Sequence, residues 1–380
     1  MKAASTPENF FRFFPYVIIL LLAFSLINVY LLFQREEQWE KAQTELQEKL
    51  RPASLQVVII TLSNCEYCYN ISQALADLQK QNVNITSQEM VSADSAVGRE
   101  LIAKYALVKL PTILVGGELN HSEKLQSYLA QHGEQIQGRF VFTALAPPYY
   151  DVSTKIIAGL VTTIVLKDPG CTQCMDLSTL LSSLEEQGVL IKNKKEVAYD
   201  SPEGKDLAAR FGLELAPTLL ISKEILEYRE LSAGLAEGGA RLRYGYYIIP
   251  APAAPYRDLS ANQIKGLVTV YYLNDSSCRG CYDVLINRNI LQQFGVAFKE
   301  EKILDVARPE AKSLLQKYNI SKIPVIILSP DASVYPSLDK AWKSVGTVAD
   351  DGWLVMRKAE VLGTYRDLIT NQVVSAGAAR

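Results

Sequence analysis

The chain has 380 residues, 48% hydrophobic and 21% charged, with a formal net charge of −2. Such a length accommodates roughly two to four ordinary domains, and the balanced charge excludes a nucleic-acid binder working through a basic face. The only two histidines, His121 and His132, exclude a repeated Cys/His metal site or a repeated Ser-His-Asp centre, and read as surface or turn residues.

The first element is apolar. No charge occurs from Phe13 to Gln34, and "YVIILLLAFSLINVYLLF" is almost wholly hydrophobic. At about 1.5 Å rise per residue it can cross a hydrocarbon core of roughly 30 Å. It is too long for a secretory signal core, and no small-x-small cleavage site follows it. Residues 15–34 are therefore expected to form a transmembrane helix behind a tail at 1–14. Lys2 and Arg12 precede the span, whereas Arg35, Lys41, Lys49 and Arg51 follow it, a count that would place the C-terminal side inside. The short tail, the long trailing chain and the net acidic segment after the span favour the opposite orientation. The bulk of the chain is expected outside the cytoplasm, in a periplasm or at a cell surface. Residues 35–52 read as a charged helical stalk.

A threefold repeat follows. All six cysteines fall in C-x-x-C pairs: Cys65/Cys68, Cys171/Cys174 and Cys278/Cys281. The first cysteines are spaced by 106 and 107 residues, and Pro111, Pro217 and Pro324 each lie 46 residues after theirs. "GRELIAKYALVKLP", "GKDLAARFGLELAP" and "AKSLLQKYNISKIP" align without a gap. Before each pair runs a continuously apolar strand, "LQVVIITL", "LVTTIVL" or "LVTVYYL", as buried parallel strands do. After it, Ile71, Ala74, Leu75 and Leu78 follow a helical stripe, as do Leu177, Leu180, Leu181 and Leu184. In the third copy Asn287 and Arg288 blur the stripe. Asn82, Gly188 and Gly295 should end these helices, because they tolerate a left-handed C′ position. Each unit thus reads strand, C-x-x-C, helix, strand, helix, proline-led strand, hairpin, with "GG" at 116–117 and "SPD" at 329–331 as hairpin turns. The seams "PPYYDVS" and "APYRDLS" repeat, with an echo in "TYRDLI". Pro147-Pro148 and "PAPAAP" at 250–255 stiffen the joins. The units are placed at 53–146, 147–252 and 253–380.

A C-x-x-C pair at a helix N-terminus is a chemical device. Unpaired N–H groups and the helix dipole favour the first thiolate, and the second sulfur sits one turn away. A thiolate attacks a substrate disulfide and the second thiol resolves the mixed disulfide, without metal or histidine. Two alternatives remain open at this point. One is a tethered scaffold that binds extended peptides or a partner protein; the other is a soft-metal carrier, since two thiolates can hold Cu(I).

The strand, C-x-x-C, helix and the proline-led strands "PTILV", "PTLLI" and "PVIIL" resemble the thioredoxin superfamily, in three tandem copies over about residues 53–380. The plan is similar to protein disulfide isomerases and to membrane-tethered bacterial thiol-disulfide oxidoreductases. The resemblance implies an α/β class, each unit a mixed central sheet flanked by helices, behind one transmembrane helix. It implies that Pro111, Pro217 and Pro324 are cis and face the cysteines. Leu110, Ala216 and Ile323 would then offer backbone groups to an extended substrate. Cys65, Cys171 and Cys278 would be nucleophiles, with Cys68, Cys174 and Cys281 resolving. Protein thiols and disulfides would be the substrates, with a redox partner protein of unknown identity, no cofactor, no metal and no nucleic acid.

The chain departs from that family in three ways. Asn64, Gly170 and Ser277, not tryptophan, precede the first cysteines, and the enclosed dipeptides are Glu-Tyr, Thr-Gln and Arg-Gly. Ile59, Val165 and Tyr272 stand where a buried acid is expected six residues upstream. Glu66 beside Cys65 should raise that thiol's pKa and Arg279 beside Cys278 should lower its own. The third unit is then expected to be the most oxidising and the first the most reducing.

Overall fold

The structure, a computed structural model, describes residues 8–249 and 253–375. The start of the tail, part of the proline-rich join at 250–252 and the last five residues of the third unit lie outside the described residues. The chain divides into two compact units, Met1–Ile157 and Ala158–Arg380; the first holds one repeat and the second holds two.

Helix α1, Glu8–Leu50, runs unbroken through the expected span and the expected stalk. Its apolar residues from Val17 to Phe33 are all exposed. By length and composition it can cross a membrane. The residues where it meets the first lobe are heavily paired. Arg51 reaches both carboxylate oxygens of Glu118 at 2.6 Å, and also Glu48 at 2.6 Å. Glu118 accepts the Ser54 N–H at 2.8 Å, and His121 Nε2 lies 2.9 Å from the Arg51 carbonyl. The Arg51 guanidinium holds the Glu118 carboxyl down to about 2, against an ordinary 4.5. A depressed carboxyl stabilises above its ordinary value and loses that contribution as pH falls through the folded one. Docking of the stalk should therefore hold at neutral pH and loosen between pH 4.5 and about 2. Hydrogen exchange at the Ser54 amide should show this acid transition, and Glu118→Gln should abolish it.

Lobe 1 begins with β1, Ala53–Thr61, α2, Ile71–Gln79, and β2, Val83–Ser92; the two strands pair in parallel. Helix α3, Ala96–Lys104, and the two-residue β3, Lys109–Leu110, lead to β4, Thr112–Gly117, antiparallel to β1. Then come α4, Glu123–His132, and the hairpin β5, Gly133–Ile136, with β6, Arg139–Phe142. The sheet order is β2-β1-β4-β6-β5. Lobes 2 and 3 repeat it, with Val161–Lys167 and Leu267–Asn274 in the place of β1.

Strand β1 is buried on both faces because successive side chains alternate. Leu55, Val57 and Ile59 enter a core with α2 and α4; Val58 and Ile60 enter another with Tyr105 and Leu107 beyond α3. The helix ends fall as the sequence implies: Asn82, Gly188 and Gly295 take φ of 56°, 87° and 77°. Asn287, which blurred the third stripe, is buried and donates its amide to the Val284 carbonyl at 3.0 Å.

Two expectations fail here. The "GG" and "SPD" segments are not hairpin turns. In lobe 1 a whole helix, α4, separates β4 from its partner β6, and the hairpin turns at Gln137-Gly138, both left-handed. In lobe 3 Pro330–Val334 is a 3-10 turn leading into the helix Pro336–Val345. The seams also pair backward. Strand β7, Tyr149–Asp151, bonds to β3 of the lobe it follows, and β8, Ile156–Ala158, adds to β7. Tyr256–Asp258 likewise pairs with Leu215–Ala216. We accordingly draw the joins near Ala158 and Gly266, rather than at 146/147 and 252/253, which would cut these ladders.

Lobes 2 and 3 each contain a buried tyrosine that bridges backbone groups. The Tyr228 hydroxyl donates to the Gly159 carbonyl and accepts from the Leu190 N–H, both at 2.9 Å. Tyr335 does the same between Gly266 and Ala297, at 2.6 and 3.0 Å. Tyr228→Phe strands both partners and should cost about 1–3 kcal/mol of stability, read as faster exchange at the Leu190 amide.

Candidate functional site

The three cysteine pairs are disulfides, with Cα–Cα separations of 5.3, 5.4 and 5.5 Å. Each lies in a turn after the central strand, closed by the N–H of the second cysteine on the carbonyl of the first, at 3.3 to 3.4 Å. The following helix starts later than the sequence suggests, at Ile71, Ser178 and Ile286. Matched residues stand near that start. Asn70 accepts the Ser72 N–H at 3.1 Å, Asp176 the Ser178 N–H at 2.9 Å and Asp283 the Leu285 N–H at 3.0 Å. Asn70 caps its helix, whereas Asp176 and Asp283 close a turn just before helices whose cap residues, Leu177 and Leu285, make no side-chain cap bond. The expected dipole effect on the first thiolate is correspondingly reduced, because it falls off within the first helical turn.

The prolines stand beside the sulfurs. The Leu110–Pro111, Ala216–Pro217 and Ile323–Pro324 peptide bonds are cis. Cys68 Sγ lies 3.9 Å from the Leu110 carbonyl oxygen. Pro217 lines one pocket with Cys171 and Cys174; Pro324 lines another with Cys278 and Cys281. Leu110, Ala216 and Ile323 are buried, and each faces a seam residue in register: Tyr150, Arg257 and Arg366. One edge of that short strand is therefore taken by the seam.

The three sites differ in access and lining. Cys171 is 8% exposed, whereas the other cysteines are half-buried. Gln173, between Cys171 and Cys174, donates to the Phe298 carbonyl of lobe 3 at 3.1 Å. Ile59, Val165 and Tyr272 are buried at the position six residues upstream. The Tyr272 hydroxyl donates to Glu301 at 3.1 Å, and burial raises its pKa. His121 and His132 sit away from the cysteines, bonded to the backbone carbonyls of Arg51 and Tyr128.

Sequence reasoning missed a buried acid closer to the cysteines. Asp168, three residues before Cys171, accepts the Gly170 N–H on Oδ1 at 2.9 Å and takes Arg257 Nε on Oδ2 at 2.8 Å. Its side chain is 2% exposed. Asp275 repeats this before Cys278: Oδ1 accepts the Ser277 N–H at 2.9 Å, and Oδ2 lies 2.9 Å from Arg366 Nε. That second contact is an ion pair without the alignment of a hydrogen bond. The signal lies in "DPGC", "DSSC" and the recurring "YRD" of the seams.

The seam closes on the disulfide from the other side as well. Tyr69 N–H, after Cys68, donates to the Pro148 carbonyl at 2.7 Å, and Tyr282 N–H to the Thr364 carbonyl at 2.8 Å.

A parallel strand–helix–strand, an antiparallel proline-led strand and a Cys-x-x-Cys disulfide between them make each lobe a thioredoxin-like fold. Among solved structures, the chain is similar to a protein disulfide oxidoreductase from Aeropyrum pernix K1, with 14% identity over 49% of this chain and 83% of that one, TM-score 0.14. It is similar to full-length ERdj5, with 12% identity over 76% and 41%, TM-score 0.14. It is also similar to the zinc-bound form of human ERp44, with 10% identity over 79% and 87%, TM-score 0.15. No family model and no curated protein matches the sequence.

Proposed function

We propose that the chain is a membrane-anchored thiol-disulfide oxidoreductase acting on protein substrates, with α1 as its anchor and the three lobes outside the cytoplasm. The observation that carries this reading is the threefold placement of a Cys-x-x-Cys disulfide beside a buried proline-led strand. A disulfide closing so small a loop constrains the unfolded chain very little, so stability alone does not account for three of them.

In the reducing direction, the thiolate of Cys65, Cys171 or Cys278 attacks one sulfur of a substrate disulfide. A mixed disulfide forms and the other substrate sulfur leaves as a thiolate. Cys68, Cys174 or Cys281 then attacks its neighbour, closing the protein disulfide and releasing the reduced substrate. Oxidation of a substrate dithiol runs the same steps backward. Substrate backbone would lie along Leu110-Pro111, Ala216-Pro217 and Ile323-Pro324 on the side the seam leaves open.

The apolar Ile59 and Val165 favour a second reading, in which the lobes bind peptides with little turnover. Insulin reduction by dithiothreitol decides between them. The full chain should accelerate precipitation of the insulin B chain, and Cys65→Ser/Cys171→Ser/Cys278→Ser should match dithiothreitol alone. A wild-type rate equal to that background would favour the scaffold, and stoichiometric Cu(I) uptake would favour the metal carrier. Access also orders the lobes. Cys171–Cys174 should be the slowest disulfide to open with dithiothreitol, because Cys171 is 8% exposed; timed alkylation and peptide mass spectrometry would report each pair.

A further inference from the structure

In lobes 2 and 3 a buried pair links two parts of the site that sequence order keeps far apart. Asp168 shapes the turn into Cys171: its carbonyl accepts the Cys171 N–H at 3.2 Å while its carboxylate accepts the Gly170 N–H at 2.9 Å. Arg257 sits on the seam opposite Ala216, the residue before Pro217. One ion pair thus ties the nucleophile's turn to the proline's strand, and Asp275 with Arg366 does so in lobe 3. Lobe 1 is built otherwise. Its matching residues are Leu62 and Tyr150, half-buried against the same apolar core.

The electrostatics follow from burial. Paired, the two charges nearly cancel at the cysteine. Unpaired, either one remains near the first sulfur: Asp168 is three residues away, a backbone span of at most about 10 Å, and Arg257 Nε lies 2.8 Å from its carboxylate. A net charge that close, in poorly hydrated surroundings, shifts the thiolate's stability by about tenfold or more. A stranded carboxylate would disfavour the thiolate and the dithiol state; a stranded guanidinium would favour both.

We propose that Asp168–Arg257 and Asp275–Arg366 are positioning pairs that set the thiol–disulfide equilibrium of lobes 2 and 3, and that lobe 1, with Leu62 and Tyr150, is free of this control. The inference rests on the redox reading above. The reaction it concerns is balanced by glutathione: the protein S–S bond breaks, one S–S bond forms in glutathione disulfide, and two thiol protons pass to the cysteines.

The test equilibrates the detergent-solubilised full chain in glutathione buffers, quenches with acid, alkylates differentially and reads every cysteine pair by peptide mass spectrometry. Arg257→Met should move Cys171–Cys174 toward the disulfide by about tenfold, and Asp168→Asn toward the dithiol by about the same factor. Arg257→Lys, which keeps the charge, should stay close to wild type. Arg366→Met and Asp275→Asn should act likewise on Cys278–Cys281 alone, and Cys65–Cys68 should not move in any variant. Opposed shifts of the two single variants support the proposal. Constants unchanged from wild type, or shifts in one direction for both, overturn it, whatever happens to stability. If Arg257→Met does not fold, Asp168→Asn decides alone: a shift toward the dithiol supports the proposal, and no shift or a shift toward the disulfide overturns it. A wild-type chain whose cysteines do not exchange with glutathione at all overturns the redox reading itself, and this inference with it.

Discussion

Arg257→Met should destabilise lobe 2 by about 3–5 kcal/mol, the cost of leaving a buried carboxylate without its partner. Asp168 has nowhere to go: its side chain is 2% exposed and Arg257 is its one cationic contact among the described residues. Hydrogen exchange along Val161–Lys167 should accelerate, with lobe 1 strands as the unaffected control. The double substitution Asp168→Leu/Arg257→Tyr, which installs the lobe 1 pair, should recover most of that loss. A well-packed apolar pair commonly equals or exceeds a buried ion pair in stability, because neither member has to be desolvated. A double variant as unstable as the single one would show that the two positions serve packing peculiar to lobe 2.

Charge reversal at an exposed position should act on redox balance instead. Arg279 lies beside Cys278 on the surface, and Arg279→Glu replaces an attractive charge with a repulsive one. Two unit changes at about 6 Å in water amount to about 1.4 kcal/mol, or about tenfold toward the disulfide. Glu66→Arg should move Cys65–Cys68 by a similar factor toward the dithiol. These effects differ from those of the buried pairs in one diagnostic respect: salt at about 1 M should largely erase them, because the screening length falls to roughly 3 Å. In the wild-type chain the third lobe should then be the strongest oxidant and the first the strongest reductant. Equal potentials in the three lobes, or the reverse order, would discard the ranking.

The repeat, the cysteine pairs and the prolines were legible because each depends on residue identity at fixed spacing. Buried strands such as Leu267–Asn274 announce themselves by unbroken apolar runs, and the helix ends at Asn82, Gly188 and Gly295 by tolerance of positive φ. Three features were not legible. The helix after each disulfide starts late, beyond a turn in which Asn70, Asp176 or Asp283 captures a backbone N–H, at the cap in lobe 1 and just before it in lobes 2 and 3, a local contest that periodicity does not register. The helix α4 between β4 and β6 was hidden because its stripe is thin: only Leu125 and Leu129 are buried. The seam was misread as a spacer because its function is long-range. Arg257 meets Asp168 across 89 residues, and nothing local in "YRD" names its partner.

The most direct measurement is covalent trapping. With Cys68, Cys174 and Cys281 all replaced by serine, the first cysteine of each lobe remains and the resolving step is removed. Reduced full-length protein carrying these changes, mixed with a peptide held by one intramolecular disulfide, should gain mass in units of that peptide. Digestion should place the adducts on Cys65, Cys171 and Cys278. Full-length protein that gains no mass, while its three thiols are shown to be free, would contradict a thiol-disulfide exchange role for this chain.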